Sequence, residues 1–204
     1  LRVRVQASRI RELFLQGVQT LAHALEAKDA YTSGHSIRVS RYAVQTAVRL
    51  GFTGERLEEI RLGAELHDIG KIGTREAVLN KPGPLTEAER TVVQSHPGIG
   101  ANILQPIPVL ADIIPLVRSH HELLDGSGYP DGLRGEAIPE LVRVLTVADI
   151  FDALISDRPY RPGLSRGEAM AHLQSGAGRR YDARAVDALG KAIAEGWSAT
   201  VPGR

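Results

Sequence analysis

Five of the seven histidines in this 204-residue chain stand in an ordered series, which constrains the fold more than any other feature. Two of these histidines are adjacent, and another directly precedes an aspartate. A second aspartate, inside an apolar segment, extends the series. Residues so far apart act together only in a fold that brings them to one place. The series consists of His35, His67-Asp68, His96, His120-His121 and Asp149.

The chemistry of this series indicates a metal site. Imidazole and carboxylate groups are the ligands that divalent transition metals take where thiolates are absent, and the chain has no cysteine. Five histidines and two aspartates are more ligands than one ion needs. They suit two ions that share a bridging carboxylate, an arrangement that hydrolyses phosphate esters.

Composition excludes several classes of protein. An apolar fraction of 43% and a charged fraction of 24% are ordinary for a globular domain. A net charge of +1 gives no broad field for a nucleic-acid polymer or an anionic membrane. No uninterrupted apolar stretch is long enough to span a bilayer. The lack of cysteine fits the reducing cytosol, so we expect a cytoplasmic location.

The spacing of apolar residues predicts an all-α fold, because no strand-like alternation persists anywhere in the chain. Thr86 and Glu89 form a capping box for a helix that is expected to carry His96. Residues 125–139 are rich in glycine and proline and are predicted to form a loop. Further helices are expected over residues 34–50, 55–68, 141–156, 166–173 and 183–194.

The first 28 residues allow two interpretations. Ile10, Phe14, Val18 and Leu21 recur at helical spacing, so residues 5–28 are predicted to form one helix. This helix is either the first helix of the core, a connector to an upstream domain, or the contact surface of a dimer. We assign residues 1–17 to a connector helix that continues into a domain over residues 18–204. Because the chain begins at Leu1, we expect an upstream sensor or regulatory domain.

Each candidate ligand also has a simpler explanation. A lone His67-Asp68 pair is usually a surface pair or a helix cap. Asp149 lies in an apolar run, where a carboxylate is costly to bury unless it meets a cation, either a metal or an arginine. Asp152 follows one helical turn later and could orient a metal ligand or a water without binding the metal itself. The metal interpretation gains weight because candidate ligands recur on several predicted helices.

Three cations near the series are candidates for holding phosphate. Lys71, three residues after Asp68, would place a compact positive charge beside a bound phosphate. Arg158 and Arg161 could clamp phosphate oxygens with two hydrogen bonds each. The alternative for each is an ordinary surface charge.

Taken together, these segments resemble the HD-GYP family of bacterial cyclic dinucleotide phosphodiesterases. The resemblance covers roughly Val18 to Ala194, and the combination of motifs in this order is highly specific. The motifs are Tyr31-Thr32-Ser33-Gly34-His35-Ser36, Leu66-His67-Asp68-Ile69-Gly70-Lys71-Ile72, His96-Pro97, His120-His121-Glu122 with Asp125-Gly126-Ser127-Gly128-Tyr129-Pro130, and Asp149 through Arg161.

The resemblance implies a helical bundle with metals between the helices and metal-assisted hydrolysis of cyclic di-GMP. Some members of the family prefer cyclic GMP-AMP. One metal is then held by His35, His67, Asp68 and Asp149. The other is held by Asp68, His96, His120 and His121.

The same resemblance implies roles for residues around the metals. Lys71 would neutralise the phosphoryl charge or assist the leaving oxygen. Asp29 corresponds to a position that polarises the attacking hydroxide. The loop of Gly128, Tyr129 and Pro130 would shape the substrate groove, and in this family it is also linked to contacts with GGDEF-domain cyclases.

The sequence departs from the family pattern in two places. Tyr31 stands where some members have a glutamate that helps to hold a third metal, and a neutral phenol is a poor substitute. We therefore expect two metals and a product that is mainly the linear dinucleotide pGpG. Leu123 and Leu124 replace the more usual basic and aromatic residues, so the resemblance does not establish the substrate contacts at these two positions.

Two other functions compete with this hypothesis. The chain could be a non-catalytic module that binds a cyclic dinucleotide or docks a GGDEF cyclase, but the intact ligand set argues against degeneration. It could also be a different HD phosphohydrolase, against which the glycine-rich loop and second histidine group argue. Mixed nitrogen and oxygen ligands suit iron or manganese, with nickel or zinc possible after purification. We expect a cytoplasmic bacterial protein whose full-length form could be tethered to a membrane.

Overall fold

The computed structural model describes residues 2–26, 34–157 and 162–199. Within these ranges the chain forms ten α-helices and no β-strand, which confirms the all-α prediction. Three 3₁₀ turns link some of the helices. The helices are α1 (Arg2–Glu26), α2 (His35–Arg49), α3 (Glu55–Leu66), α4 (Glu76–Leu79), α5 (Glu87–Gln94), α6 (His96–Leu104), α7 (Ile114–Ser119), α8 (Glu140–Ile155), α9 (Arg166–Gly176) and α10 (Ala183–Ala194).

Helix α8 lies at the centre of the bundle. Its sequence is apolar almost all round, which is typical of a buried helix, and it packs against α2, α3, α7, α9 and α10. Phe151 is fully buried and meets Tyr42 of α2 edge to face, with ring centroids 5.0 Å apart. This packing fixes the orientation of α8, and with it the directions of Asp149 and Asp152.

Local sequence signals set the helix ends, with one correction. The predicted capping box of Thr86 and Glu89 is present at the start of α5. The expectation that this helix carries His96 is wrong, because α5 ends at Gln94 and His96 begins a separate helix, α6. Pro97 occupies the first turn of α6, where its missing N–H costs no hydrogen bond and favours a new helix start.

Helix α1 is continuous and has two different sides. Val18 and Ala22 pack towards the hydrophobic core, whereas Ile10, Phe14 and Leu21 are exposed. The end of α1 contacts the start of α2, because the Glu26 carboxylate accepts a 2.7 Å hydrogen bond from the backbone N–H of Ser36. A domain boundary after residue 17 and a dimer seam on α1 stay predictions. No helix among the described residues has the length and apolar character needed to cross a membrane.

Two glycines allow the backbone segments beside the histidine series to touch. A Cβ atom added to Gly70 would stand 1.9 Å from the backbone oxygen of His96. The same atom would stand 2.5 Å from the backbone nitrogen of Gly100 on α6. Gly70 lies in the 3₁₀ turn Ile69–Gly73, which begins directly after Asp68. The contact therefore holds this turn against the start of α6.

We expect Gly70→Ala to destabilise the protein by about 1–3 kcal/mol, because the added methyl group forces these backbones apart. Gly167→Ala is the matched control, since a Cβ atom at that position meets no atom within 4 Å. Urea unfolding of both variants measures the difference. Equal free energies of unfolding for the two variants would contradict the importance of the contact.

Candidate metal centre

The histidines of the series lie at helix ends that converge on the middle of α8. His35 is the first residue of α2, His67 follows the last residue of α3, and His96 is the first residue of α6. His120 follows α7, and its backbone oxygen accepts a 2.8 Å hydrogen bond from the Thr146 hydroxyl on α8. Helix ends from four parts of the chain thereby meet around one buried helix.

All seven predicted ligands come together in the structure. Their ligand atoms form three overlapping groups, and within each group the atoms lie within 4.8 Å of one another. Asp68 lies between the groups, because its Oδ1 is 3.2 Å from His96 Nε2 and its Oδ2 is 3.5 Å from His67 Nε2. The groups are His35 with His67 and Asp149, His67 with Asp68 and His120, and His96 with His120 and His121.

Three of the histidines present the same nitrogen to the centre of the cluster. In each, Nδ1 lies within hydrogen-bonding distance of the carbonyl oxygen three residues earlier in the chain. A carbonyl oxygen only accepts, so Nδ1 must carry the hydrogen and the lone pair must lie on Nε2. The distances from Nδ1 to oxygen are 2.7 Å for His67 to Ala64, 2.7 Å for His96 to Val93 and 2.9 Å for His120 to Val117.

His35 is held differently, between two carboxylates. Its Nδ1 is 2.8 Å from Asp152 Oδ2, and its Nε2 is 3.2 Å from Asp149 Oδ1. Burial by itself lowers the pKa of His35, but the hydrogen bonds to Asp149 and Asp152 outweigh it and raise the pKa to about 10. The Asp152 carboxylate in turn accepts two hydrogen bonds from the Arg38 guanidinium group, one from Nε and one from Nη2.

Asp68 stays charged, whereas His120 and His121 stay neutral. Burial favours the neutral form of Asp68, yet the nearby ammonium of Lys71 and the ring of His67 hold its pKa well below the usual range. Burial lowers the pKa of His121 to about 4, and burial with the neighbouring His121 ring keeps the pKa of His120 well below its usual value. Anionic carboxylates and neutral imidazoles are the forms that bind a divalent cation.

Lys71 contacts the cluster directly, with its Nζ 2.6 Å from Asp68 Oδ2. A cavity opens beside this pair and is lined in part by Ser36 and Thr74. The ammonium group therefore lies where a molecule that enters the cavity would meet both a positive charge and Asp68, one of the seven candidate ligands.

The glycine-rich loop forms one wall of the site. The Tyr129 ring lies over His121, with centroids 4.7 Å apart and planes inclined by 33°. Gly128 packs so tightly that an added Cβ would be 2.4 Å from the His121 carbonyl oxygen. The bond between Tyr129 and Pro130 is cis. Leu123, which departs from the family pattern, is buried in the core.

A buried carboxylate holds the far side of this loop. Glu122 is 1% exposed, and its Oε1 accepts backbone hydrogen bonds from Asp131 and Gly132 at 2.6 and 3.0 Å. Its Oε2 accepts a third from Leu133 at 3.1 Å. Asp131 also pairs with Arg118, at 2.7 and 2.8 Å. The loop that carries Tyr129 is thus anchored at its base by charge-assisted bonds.

Four residues predicted for the site lie outside the described residues, namely Asp29, Tyr31, Arg158 and Arg161. Sequence reasoning missed Arg38 and Glu122. Glu122 directly follows the histidine doublet, and Arg38 lies one helical turn after His35, so proximity to a ligand was the available signal. Asp152, predicted to orient a ligand, lies against His35.

The donor set fits divalent transition metals. Nitrogen and carboxylate oxygen atoms converge, and the tautomers of three histidines direct Nε2 inward. Both aspartates are buried, and the neighbouring cation and histidine rings hold the pKa of each below its usual range. Among the described residues, the groups of side chains that could hold a metal ion contain only these seven.

Comparison with known proteins agrees with this geometry. Residues 19–185 match the family described as HD domain. The chain belongs to the HD-domain family. Relatives of the chain confirm the HD-GYP resemblance. The chain is 42% identical over 191 residues to the cyclic di-GMP phosphodiesterase response regulator RpfG of Xanthomonas campestris, and the match covers 92% of this chain and 50% of that protein.

Two further relatives are named as phosphodiesterases, one for 3'3'-cGAMP and one for cyclic di-GMP. The chain is 39% identical to the 3'3'-cGAMP-specific phosphodiesterase 3 of Vibrio cholerae, covering 86% of this chain and 38% of that protein. It is 38% identical to the cyclic di-GMP phosphodiesterase PA4108 of Pseudomonas aeruginosa, covering 83% and 41%. The chain thus spans half or less of the length of these relatives.

A solved structure supports the fold. The cyclic GMP-AMP-specific phosphodiesterase V-cGAP3 of Vibrio cholerae superposes with a TM-score of 0.68 at 19% identity, covering 88% of this chain and 48% of that chain. At this identity the similarity establishes that both chains share the HD-type helical bundle.

We expect Asp68→Ala to lower the metal content of the purified protein to one ion per chain or less, because Asp68 lies between the ligand groups. Asp187→Ala, which removes an exposed carboxylate paired with Lys191, is the control. Elemental analysis of anaerobically purified protein gives the stoichiometry, and circular dichroism checks the fold. A full complement of two ions in Asp68→Ala would show that this carboxylate does not join the groups.

Glu122→Gln is expected to loosen the loop, because an amide retains one acceptor oxygen and places an NH₂ group against backbone donors. Loss of a charge-assisted bond, worth about 1.5–3 kcal/mol, should speed hydrogen exchange at residues 131–133 by about tenfold or more. Glu87→Gln serves as the control, since the Glu87 side chain is 89% exposed. Unchanged exchange at these amides would mean that the loop does not depend on Glu122.

Proposed function

We propose that this chain is a metal-dependent phosphodiesterase that hydrolyses cyclic di-GMP, mainly to linear pGpG. The observation that carries the proposal is the meeting of seven nitrogen and oxygen ligands in one cluster beside Lys71. Relatives that are 42% and 38% identical and are named cyclic di-GMP phosphodiesterases support it.

We assign the ligands to two metal positions that share Asp68. When bound, the two ions supply an activated water and stabilise charge on the phosphate oxygens. The mixed donor set suits iron or manganese, and nickel or zinc would fit the same ligands in a purified sample. One position consists of His35, His67, Asp68 and Asp149. The other consists of Asp68, His96, His120 and His121.

The remaining roles belong to side chains around these ligands. Lys71 attracts the phosphate to the cavity side of Asp68 and offsets the charge that develops on its oxygens. From the sequence pattern, Asp29 polarises the attacking water, while Arg158 and Arg161 clamp the phosphate groups. The positive charges of Lys71, Arg158 and Arg161 attract the phosphate oxygens both in the substrate and in the transition state, so they favour both binding and turnover.

The loop of Gly128, Tyr129 and Pro130 forms the wall of the substrate groove in this proposal. The aromatic face of Tyr129, held over His121, offers a surface on which a purine base can stack. The same loop is the proposed contact with GGDEF-domain proteins. A homodimer through α1, an upstream sensor domain and a cytoplasmic location stay predictions from the sequence.

Cyclic GMP-AMP is the second candidate substrate. A relative named for 3'3'-cGAMP is 39% identical, which is close to the values for the cyclic di-GMP relatives. Both dinucleotides share the ribose-phosphate ring, so Lys71 and the metal ligands meet the same groups in either case. Rates measured side by side on the two substrates decide between them.

The function is tested with Lys71→Ala in the metal-loaded protein. We expect the rate of cyclic di-GMP hydrolysis to fall by about 10²-fold or more, as for the loss of one charge-stabilising group, while metal content is retained. Lys191→Ala, at an exposed surface pair, should hydrolyse at the normal rate. If the metal-loaded wild-type protein hydrolyses neither dinucleotide but binds one, the chain is a binding module.

We further expect the linear dinucleotide to accumulate. Release of GMP requires the site to accept an additional terminal phosphate, and Tyr31 lacks the carboxylate that would help a third cation to hold that charge. A chromatographic time course under saturating metal follows both products, with Tyr31→Glu as the variant expected to form more GMP. Rapid conversion to GMP without a linear intermediate would contradict this expectation.

A further inference from the structure

The histidines of the cluster are supported by two kinds of hydrogen-bond acceptor. His67, His96 and His120 each donate from Nδ1 to the neutral backbone carbonyl three residues earlier in the chain. His35 instead meets the carboxylate of Asp152, which belongs to α8 and lies 117 residues away in the chain. One imidazole of the cluster therefore has a charged acceptor, whereas three have a neutral one.

The carboxylate behind His35 is itself fixed in place. Asp152 is fully buried, and Arg38 reaches it with Nε 2.8 Å from Oδ1 and Nη2 3.0 Å from Oδ2. The Ser156 hydroxyl is a third donor to this carboxylate, with its Oγ 3.4 Å from Asp152 Oδ2. This fork determines the plane of the carboxylate and keeps Oδ2 directed at the His35 ring.

A carboxylate acceptor changes what the imidazole offers to a metal. Hydrogen bonding of Nδ1–H to an anion increases the electron density at Nε2 and holds the ring in one orientation, so the imidazole becomes a stronger ligand. The Nε2 atom in question is 3.2 Å from Asp149 Oδ1, within the group that also contains His67. The opposite group, His96 with His120 and His121, contains three imidazoles and no carboxylate of its own.

We propose that Arg38 and Asp152 are positioning residues that make the two metal positions unequal, so that the position at His35, His67 and Asp149 binds its ion more tightly and fills first. This inference rests on the metal ligands assigned in the proposed function. Because Arg38 and Asp152 act through His35, their effect is confined to one position. The position at His96, His120 and His121 fills second and loses its ion first.

The test is a titration of the metal-free chain with Mn²⁺, in which the electron paramagnetic resonance signal of the free ion measures binding. Manganese binds weakly among the divalent transition metals, so both dissociation constants fall in a measurable range. We expect two steps for the wild-type protein. His35→Ala should remove the tighter step, and His96→Ala should remove the weaker one.

Arg38→Gln and Asp152→Asn then probe the positioning. Each should weaken the tighter step by about 10–100-fold, the usual effect of removing a group that supports a metal ligand, and leave the weaker step within twofold. Arg38→Lys, which keeps the charge but loses the fork, should recover part of the affinity. Arg143→Gln is the matched control, because Arg143 pairs with Asp182 at 2.8 Å and has a similarly shielded side chain, but lies outside the cluster.

The outcomes separate this inference from the proposed function. A wild-type chain that binds no Mn²⁺ would refute the metal centre itself. Two wild-type steps that both variants leave unchanged, or shift equally, would overturn the positioning role while leaving the metal centre intact. A general loosening of the fold moves both steps together and also shifts the unfolding midpoint of the metal-free protein, whereas loss of positioning moves the tighter step selectively.

Discussion

The arrangement of the site depends on two carboxylates that are buried inside the helical bundle. Asp68 and Asp149 lie where bulk water cannot solvate their charge, and such burial is costly unless cations or hydrogen-bond donors compensate. Lys71 and the ring of His35 provide compensation in the protein itself. Divalent ions held by the surrounding histidines would provide more.

The bundle meets this requirement by ending its helices in the same place. Most of the ligands lie at or beside a helix terminus, where the backbone turns and side chains from different helices approach one another. Such an approach needs little bulk between the backbones, and Gly70 against the His96 carbonyl shows how close it becomes. The apolar packing of α8 supplies the fixed element on which Asp149 and Asp152 project into the cluster.

The sequence allowed the helices, the residues that form the cluster and the loop to be predicted, because these depend on local signals or on residue chemistry. The capping box at Thr86 and the apolar run of α8 are signals of this kind. Arg38 was missed because its partner lies 114 residues away, and an arginine without a known partner resembles any surface charge. The three donors to Glu122 are backbone groups, which carry no sequence signal.

The separation of His96 from the preceding helix was missed for a related physical reason. A capping box at Thr86 predicts where a helix begins and contains no information about where it ends. The end at Gln94 reflects the new start that Pro97 imposes and the contact between Gly70 and the start of α6. The first cause is visible in the sequence, whereas the second exists only in the folded chain.

The hydrogen bonds of the histidines also determine which of them respond to movement between helices. His67 and His120 directly follow the helix that carries their acceptor, so a shift of that helix as a rigid body carries ring and acceptor together. The acceptor of His96 is in the last turn of α5, three residues earlier in the chain. The bond from His35 to Asp152 spans two helices, and so does the fork from Arg38. A sliding of α2 along α8 would therefore strain the support of His35 and leave those three bonds intact.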